Sequence, residues 1–160
     1  MLTDNGLAHD VNDLGRAWLP LTRIPLPHKP EAAPRARGHI REVLAVRRVE
    51  GDLAASVELA VSELVTNAVR HGVCLCGCTR GAVSLALMRT RDRLRVEVAD
   101  PSRTPPRWPT GVDSVDAETE EGRGLLLVTR LAADWGDHAR RLRGKVVWCE
   151  FTAPGAVRRG

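Results

Sequence analysis

Leu53, Val57, Ala60, Val61, Leu64, Val65 and Ala68 recur at intervals of three and four residues. That period belongs to a helix with one apolar face. Gly72 follows where such a helix stops, and Glu50-Gly51 form a turn ahead of it. Asp52 stands in position to cap its N-terminus. A helix carrying one such stripe must bury it against another layer, so the rest of the chain has to supply that layer.

The remaining pattern supplies strands. Leu19 to Ile24 reads as a short edge strand, after which Pro25, Pro27 and Pro30 interrupt regular structure. Ala33, Ala36, Ile40, Val43 and Leu44 then predict a helix from Glu31 to Val46, with Pro34 tolerated in its first turn. Ala82–Arg89 and Leu94–Val98 alternate apolar residues around Arg91-Asp92-Arg93, a hairpin ending at Asp100-Pro101. Residues 101–121 are rich in proline and then acidic, and a loop of about twenty residues in a small domain is usually a lid or disordered. Gly122-Arg123-Gly124 opens a helix over Leu125–Ala132, and strands at Ala133–Ala139 and Lys145–Thr152 follow. Residues 1–18 and 153–160 read as flexible tails around a domain at 19–152. Hairpins separated by helices predict an α/β fold of the α+β type, a two-layer sandwich with a mixed, mainly antiparallel sheet covered on one face by helices.

Composition narrows the function classes. The net charge is +4, and the arginines are scattered rather than striped, which argues against direct nucleic-acid binding. No apolar run approaches the ~20 residues of a membrane span, and the N-terminus lacks the basic and apolar regions of a secretion signal. A cytoplasmic location is the expectation. Cys74, Cys76 and Cys78 are crowded into one short segment, with Cys149 far away. The run offers soft donors for a metal or a redox centre, or is simply a small-residue connection carrying reduced thiols; its spacing differs from the usual zinc pairs.

Three features carry chemistry. Glu63 and Asn67 are four apart and sit one above the other on the margin of the apolar stripe. They present a carboxylate and an amide to a ligand held between helix and sheet, or else form a solvated face on which Glu63 pairs with Arg70. Asp100 closes a strand, where an acceptor can fix a ligand's amino group and where Asp-Pro is also a good turn. Gly122-Arg123-Gly124-Leu125 combines close backbone approach with the free N–H groups of a helix start, which favour phosphate. Neither Walker A nor Rossmann spacing is met.

The order of these features resembles the GHKL (histidine-kinase-like ATPase) superfamily and its Bergerat-type ATP-binding fold. Glu-Leu-Val-Thr-Asn-Ala-Val-Arg-His-Gly at 63–72 is similar to the N box of that superfamily, Asp100 to its adenine-binding aspartate, and Gly-Arg-Gly-Leu-Leu-Leu-Val at 122–128 to its glycine box. Gly144-Lys145-Val146-Val147-Trp148 resembles the usual final strand, and the branch most similar is that of the anti-sigma-factor serine/threonine kinases. The resemblance implies that Asn67 coordinates Mg²⁺ and that Glu63 is the general base. It implies that Asp100 accepts from the adenine amino group, and that Gly122, Arg123, Gly124 and Leu125 hold the triphosphate. Arg70 matches a basic position able to reach phosphate, and His71 lies beside it. The implied partners are ATP, a sigma factor and an anti-sigma-factor antagonist bearing the serine. A homodimer through the Leu19–Ile24 edge is also left open.

Two positions depart from that pattern. Asp100 is followed by Pro101 and Ser102 instead of D-x-G-x-G, and Glu120 stands where kinase-type members carry arginine. Acidic residues there repel a triphosphate unless they are turned away. The runner-up reading is therefore a module of the same fold that binds nucleotide or protein and transfers no phosphate. A cysteine-based metal or redox sensor is the third.

Overall fold

The computed structural model describes residues 16–73, 83–110 and 120–154. In chain order the elements are β1 (Leu19–Leu26), α1 (Ala32–Val46), α2 (Gly51–His71), β2 (Val83–Arg89), β3 (Arg93–Asp100), α3 (Glu120–Leu131), β4 (Asp134–Ala139) and β5 (Lys145–Thr152). The strands form a sheet of order β1-β2-β3-β5-β4, antiparallel at each pairing. The result is the α+β architecture that alternating hairpins and helices imply.

Strand alternation sends Val83, Leu85 and Leu87 of β2, Leu94, Val96 and Val98 of β3, and Val147, Cys149 and Phe151 of β5 into one core. Ile40 and Leu44 of α1, Val57, Val61, Leu64 and Val65 of α2, and Leu125 and Val128 of α3 meet them there. The stripe on α2 is thus covered by the sheet, and α2 lies between α1 and α3.

Several local features differ from the sequence reading. α2 starts at Gly51, with Glu50 at the cap position and no side-chain cap hydrogen bond. Asp52 sits inside the first turn, where its charge complements the helix dipole instead of capping. β1 runs through Pro25 to Leu26, because an edge strand tolerates a residue with no N–H on its solvent side. Its two prolines, Pro20 and Pro25, pair in register with Met88 and Ser84. α3 begins at Glu120, so Gly122 and Gly124 lie within it and do not precede it.

The segment after β3 is tied down over residues 101–110. Ser102 N–H donates to Asp100 Oδ1 at 2.8 Å and Thr104 N–H to Ser102 Oγ at 3.1 Å. Trp108 Nε1–H donates to Asp137 Oδ1 of β4 at 2.8 Å, and its ring lies 6.4 Å from that of Trp135. Cys74, Cys76 and Cys78, Ala82, the acidic residues Asp113, Asp116 and Glu118, and most of both tails fall outside the described residues.

The sheet face opposite the helices is charged. Arg95 is 4% exposed and donates at 3.0 Å to both Glu97 and Glu150. Its guanidinium lies 4.2 Å from the centre of the Trp148 ring and 5.7 Å from that of Trp18.

Candidate functional site

α2 and α3 converge on a recess lined by Glu63, Thr66, Asn67, Arg70, His71, Gly124 and Leu125, with an open volume of about 260 Å³. Glu63, Asn67 and Arg70 reach it from one side of α2, because positions three and four apart share a helix face. Gly124 closes the opposite side. A Cβ at 124 would overlap Glu63 Oε2, so the carboxylate occupies space that only glycine leaves. Arg123 is exposed and Gly122 half-buried, one and two residues before Gly124 in α3. Helical geometry commits the N–H groups of Gly124 and Leu125 to carbonyls one turn earlier. The uncommitted donors of α3 are those of its first turn.

Asp100 ends β3 on the helix-facing side and is 2% exposed. It is directly opposite Lys145 in the β3–β5 ladder. Lys145 Nζ donates to Asp100 Oδ1 at 2.9 Å, and that same oxygen accepts from Ser102. Oδ2 is buried with no hydrogen-bond partner among the described residues. Burial pushes the Asp100 carboxyl above the ordinary carboxylate range, against the pull of Lys145, the Ser102 N–H and His28. His28 Nε2–H donates to the Val69 carbonyl at 2.8 Å, and its Nδ1 is also buried and unpartnered among the described residues.

Glycines shape this end as well. A Cβ at Gly72 would overlap the Ala68 carbonyl oxygen and lie 2.8 Å from Asp100 Cβ, so the residue that stops α2 is small because both its own helix and the strand end crowd it. Its φ of −78° shows that left-handed backbone is not the reason. Gly144 does need it, with φ of +83°, and a Cβ there would overlap the Asp100 carbonyl oxygen.

One side of the C-terminal half of α2 therefore borders an open recess, while Gly72, just past its end, packs on a buried carboxylate. The profile of the histidine kinase-like ATPase domain matches residues 26–151. The chain belongs to the histidine kinase-like ATPase domain family.

This histidine kinase-like ATPase domain also shares its fold with a crystal structure of the RsbU and RsbW domains of Rv1364c from Mycobacterium tuberculosis. The TM-score is 0.57 and the identity 22%, over 87% of this chain. The chain spans 34% of the length of that one. No curated protein matches the sequence.

The structure places Glu63, Asn67, Arg70, His71, Gly124 and Leu125 of this ATPase domain around one recess, with Gly122 and Arg123 immediately before Gly124 in α3 and not among the lining residues. Asp100 stands apart, behind Gly72. Sequence reasoning missed Thr66, Lys145, Gly72, Gly144 and His28 as part of the arrangement. Thr66 is recoverable from helix spacing, since it lies three after Glu63 and four before Arg70. The others depend on strand register, which spacing alone does not specify. Among the described residues no His, Cys, Asp or Glu cluster suited to a metal is present, and no helix is long and apolar enough to cross a membrane.

Proposed function

We propose that the chain binds ATP with Mg²⁺ and acts as a serine/threonine protein kinase of the anti-sigma-factor type. In this reading it regulates transcription by binding a sigma factor or by phosphorylating its antagonist. The observation that carries the reading is the buried, unpartnered Asp100 Oδ2 beyond a recess lined by Glu63, Asn67, Arg70 and His71. An acceptor at one end and cations at the other fit an amino-bearing base and a triphosphate. Asp100 Oδ2 has essentially no contact with solvent in this state, so entry of a base requires this end to open.

Each residue then has a role. Asp100 accepts from the 6-amino group of the base. Arg70, His71 and Arg123, with the first-turn N–H groups of α3, hold phosphate oxygens, and Gly122, Gly124 and Leu125 let the helix start lie close. Asn67 would hold Mg²⁺ through its amide oxygen, and the ion would supply charge neutralisation to the phosphates. Glu63, one turn away, takes the proton from the attacking serine hydroxyl. Phosphoryl transfer demands mainly positioning and electrostatics, which such a set supplies.

The position of Glu120 in the first turn of α3 favours the second reading, a non-catalytic module, because acids there compete with phosphate for the helix N-terminus. Incubation with γ-labelled ATP, Mg²⁺ and a serine-bearing antagonist protein separates the two. The kinase reading expects transfer that is abolished in Glu63→Ala and Asn67→Ala, with ATP binding retained in Glu63→Ala. Tight ATP binding without transfer to any antagonist tested supports the module, and no binding at millimolar ATP overturns both.

A further inference from the structure

The base end contains more hydrogen-bonding capacity than it uses. A carboxylate has about four acceptor sites and an ammonium three donors. Here two donors converge on Oδ1 of Asp100, from Lys145 Nζ at 2.9 Å and Ser102 N–H at 2.8 Å, while Oδ2 receives none among the described residues. Both members of the pair are buried, Lys145 at 3% exposure and Asp100 at 2%. A buried ion pair seldom repays its desolvation unless its remaining hydrogen bonds are also made, and buried polar atoms without partners are uncommon in folded proteins. As structural glue the pair is poor. As a preorganised acceptor it is well built.

Its orientation is fixed from three sides. Sheet register sets Lys145 directly across from Asp100. Gly72 packs on the root of the Asp100 side chain and Gly144 on its main-chain carbonyl, so the strand end that carries the carboxylate is held in place. Ser102, made available by the Pro101 turn, holds the same oxygen as Lys145.

We infer that Lys145 is the positioning residue of the base end: by engaging Oδ1 of Asp100 it leaves Oδ2 as the acceptor for the exocyclic amino group of a 6-aminopurine. This rests on the nucleotide reading above and names the residue on which its base selectivity depends. Lys145 acts through Asp100, so its effect tracks the 6-amino group and not nucleotide binding in general.

The test compares binding of ATP with that of purine riboside triphosphate, which has hydrogen in place of the amino group, in wild type and Lys145→Met. Wild type is expected to prefer ATP at least tenfold, and in Lys145→Met that preference falls to within threefold. The ratio is taken on one folded preparation, so a general loss of stability does not move it. Lys29 and Lys145 are the only lysines, so ¹³Cε-lysine labelling of the wild-type chain gives two resonances. ATP should shift the Lys145 signal at least twice as far as the 6-hydrogen analogue does, a readout that holds even where the variant does not fold. Equal affinity of wild type for the two ligands, an ATP preference retained in Lys145→Met, or equal lysine shifts would each overturn the inference and leave ATP binding standing. Failure of both triphosphates to bind would overturn it together with the nucleotide reading.

Discussion

The Glu63 carboxylate lies against Gly124 so closely that a Cβ on residue 124 would overlap Oε2. The overlapping atom is the far end of a flexible, half-exposed side chain, so it can move aside at little cost in stability. Gly124→Ala should therefore raise the stability of α3 by roughly 0.5–1 kcal/mol through helix propensity. The same change displaces Glu63, and phosphoryl transfer should fall at least tenfold. Urea denaturation and a transfer assay on one variant would check both halves; transfer at wild-type rate would show that Glu63 does not act from this position.

At Gly144 the opposite balance is expected. Its φ of +83° is strained for an L side chain, and the atom a Cβ would meet is the Asp100 carbonyl oxygen, which cannot move independently. Gly144→Ala should cost at least about 2 kcal/mol in urea denaturation, combining backbone strain and overlap. A variant as stable as wild type would show that the β4–β5 turn relaxes freely.

Arg95 offers a test of the charged sheet face. Its removal leaves Glu150, whose side chain is 5% exposed, without its closest cation, and leaves Trp148 without the stacked guanidinium. Arg93 and Arg16 still face Glu150 at 3.5 and 3.6 Å, so Arg95→Ala should lower stability by roughly 1–3 kcal/mol, short of the full cost of an unpaired buried charge. Arg41→Ala is the contrast, because the Arg41–Glu58 pair is solvent-exposed on the arginine side. Its denaturation midpoint should move far less.

Cys149 is fully buried, and burial pushes its thiol well above the ordinary range. The thiolate is the reactive species. Iodoacetamide at neutral pH should modify Cys149 at least 100-fold more slowly in buffer than in denaturing urea, as read by peptide mass spectrometry. Equal rates would mean that β5 opens readily.

What the sequence made legible was periodic. The α2 stripe and the β2–β3 alternation are local patterns, and both elements appear where their spacing puts them. Glu63 and Asn67 were readable as a pair because a single helix fixes their relation. The Asp100–Lys145 contact was not, since it joins residues 45 apart through the β3–β5 register. Arg95 occupies an outward position of the alternating strand β3. It is instead buried, because Trp18 and Trp148 flank it on a face that spacing alone assigns to solvent. The sequence places the start of α3 at Leu125, after glycines that look like helix openers, whereas the helix begins five residues sooner, at Glu120, and contains them.

The prolines of β1 bear on how copies of the chain meet one another. Each of Pro20 and Pro25 lacks the N–H that a neighbouring strand would take up along the outer rim. An added strand would find a broken row of donors there. The sheet is thereby guarded on that side against open-ended growth into fibrils, and a partner that docks on β1 must hold it chiefly by side chains.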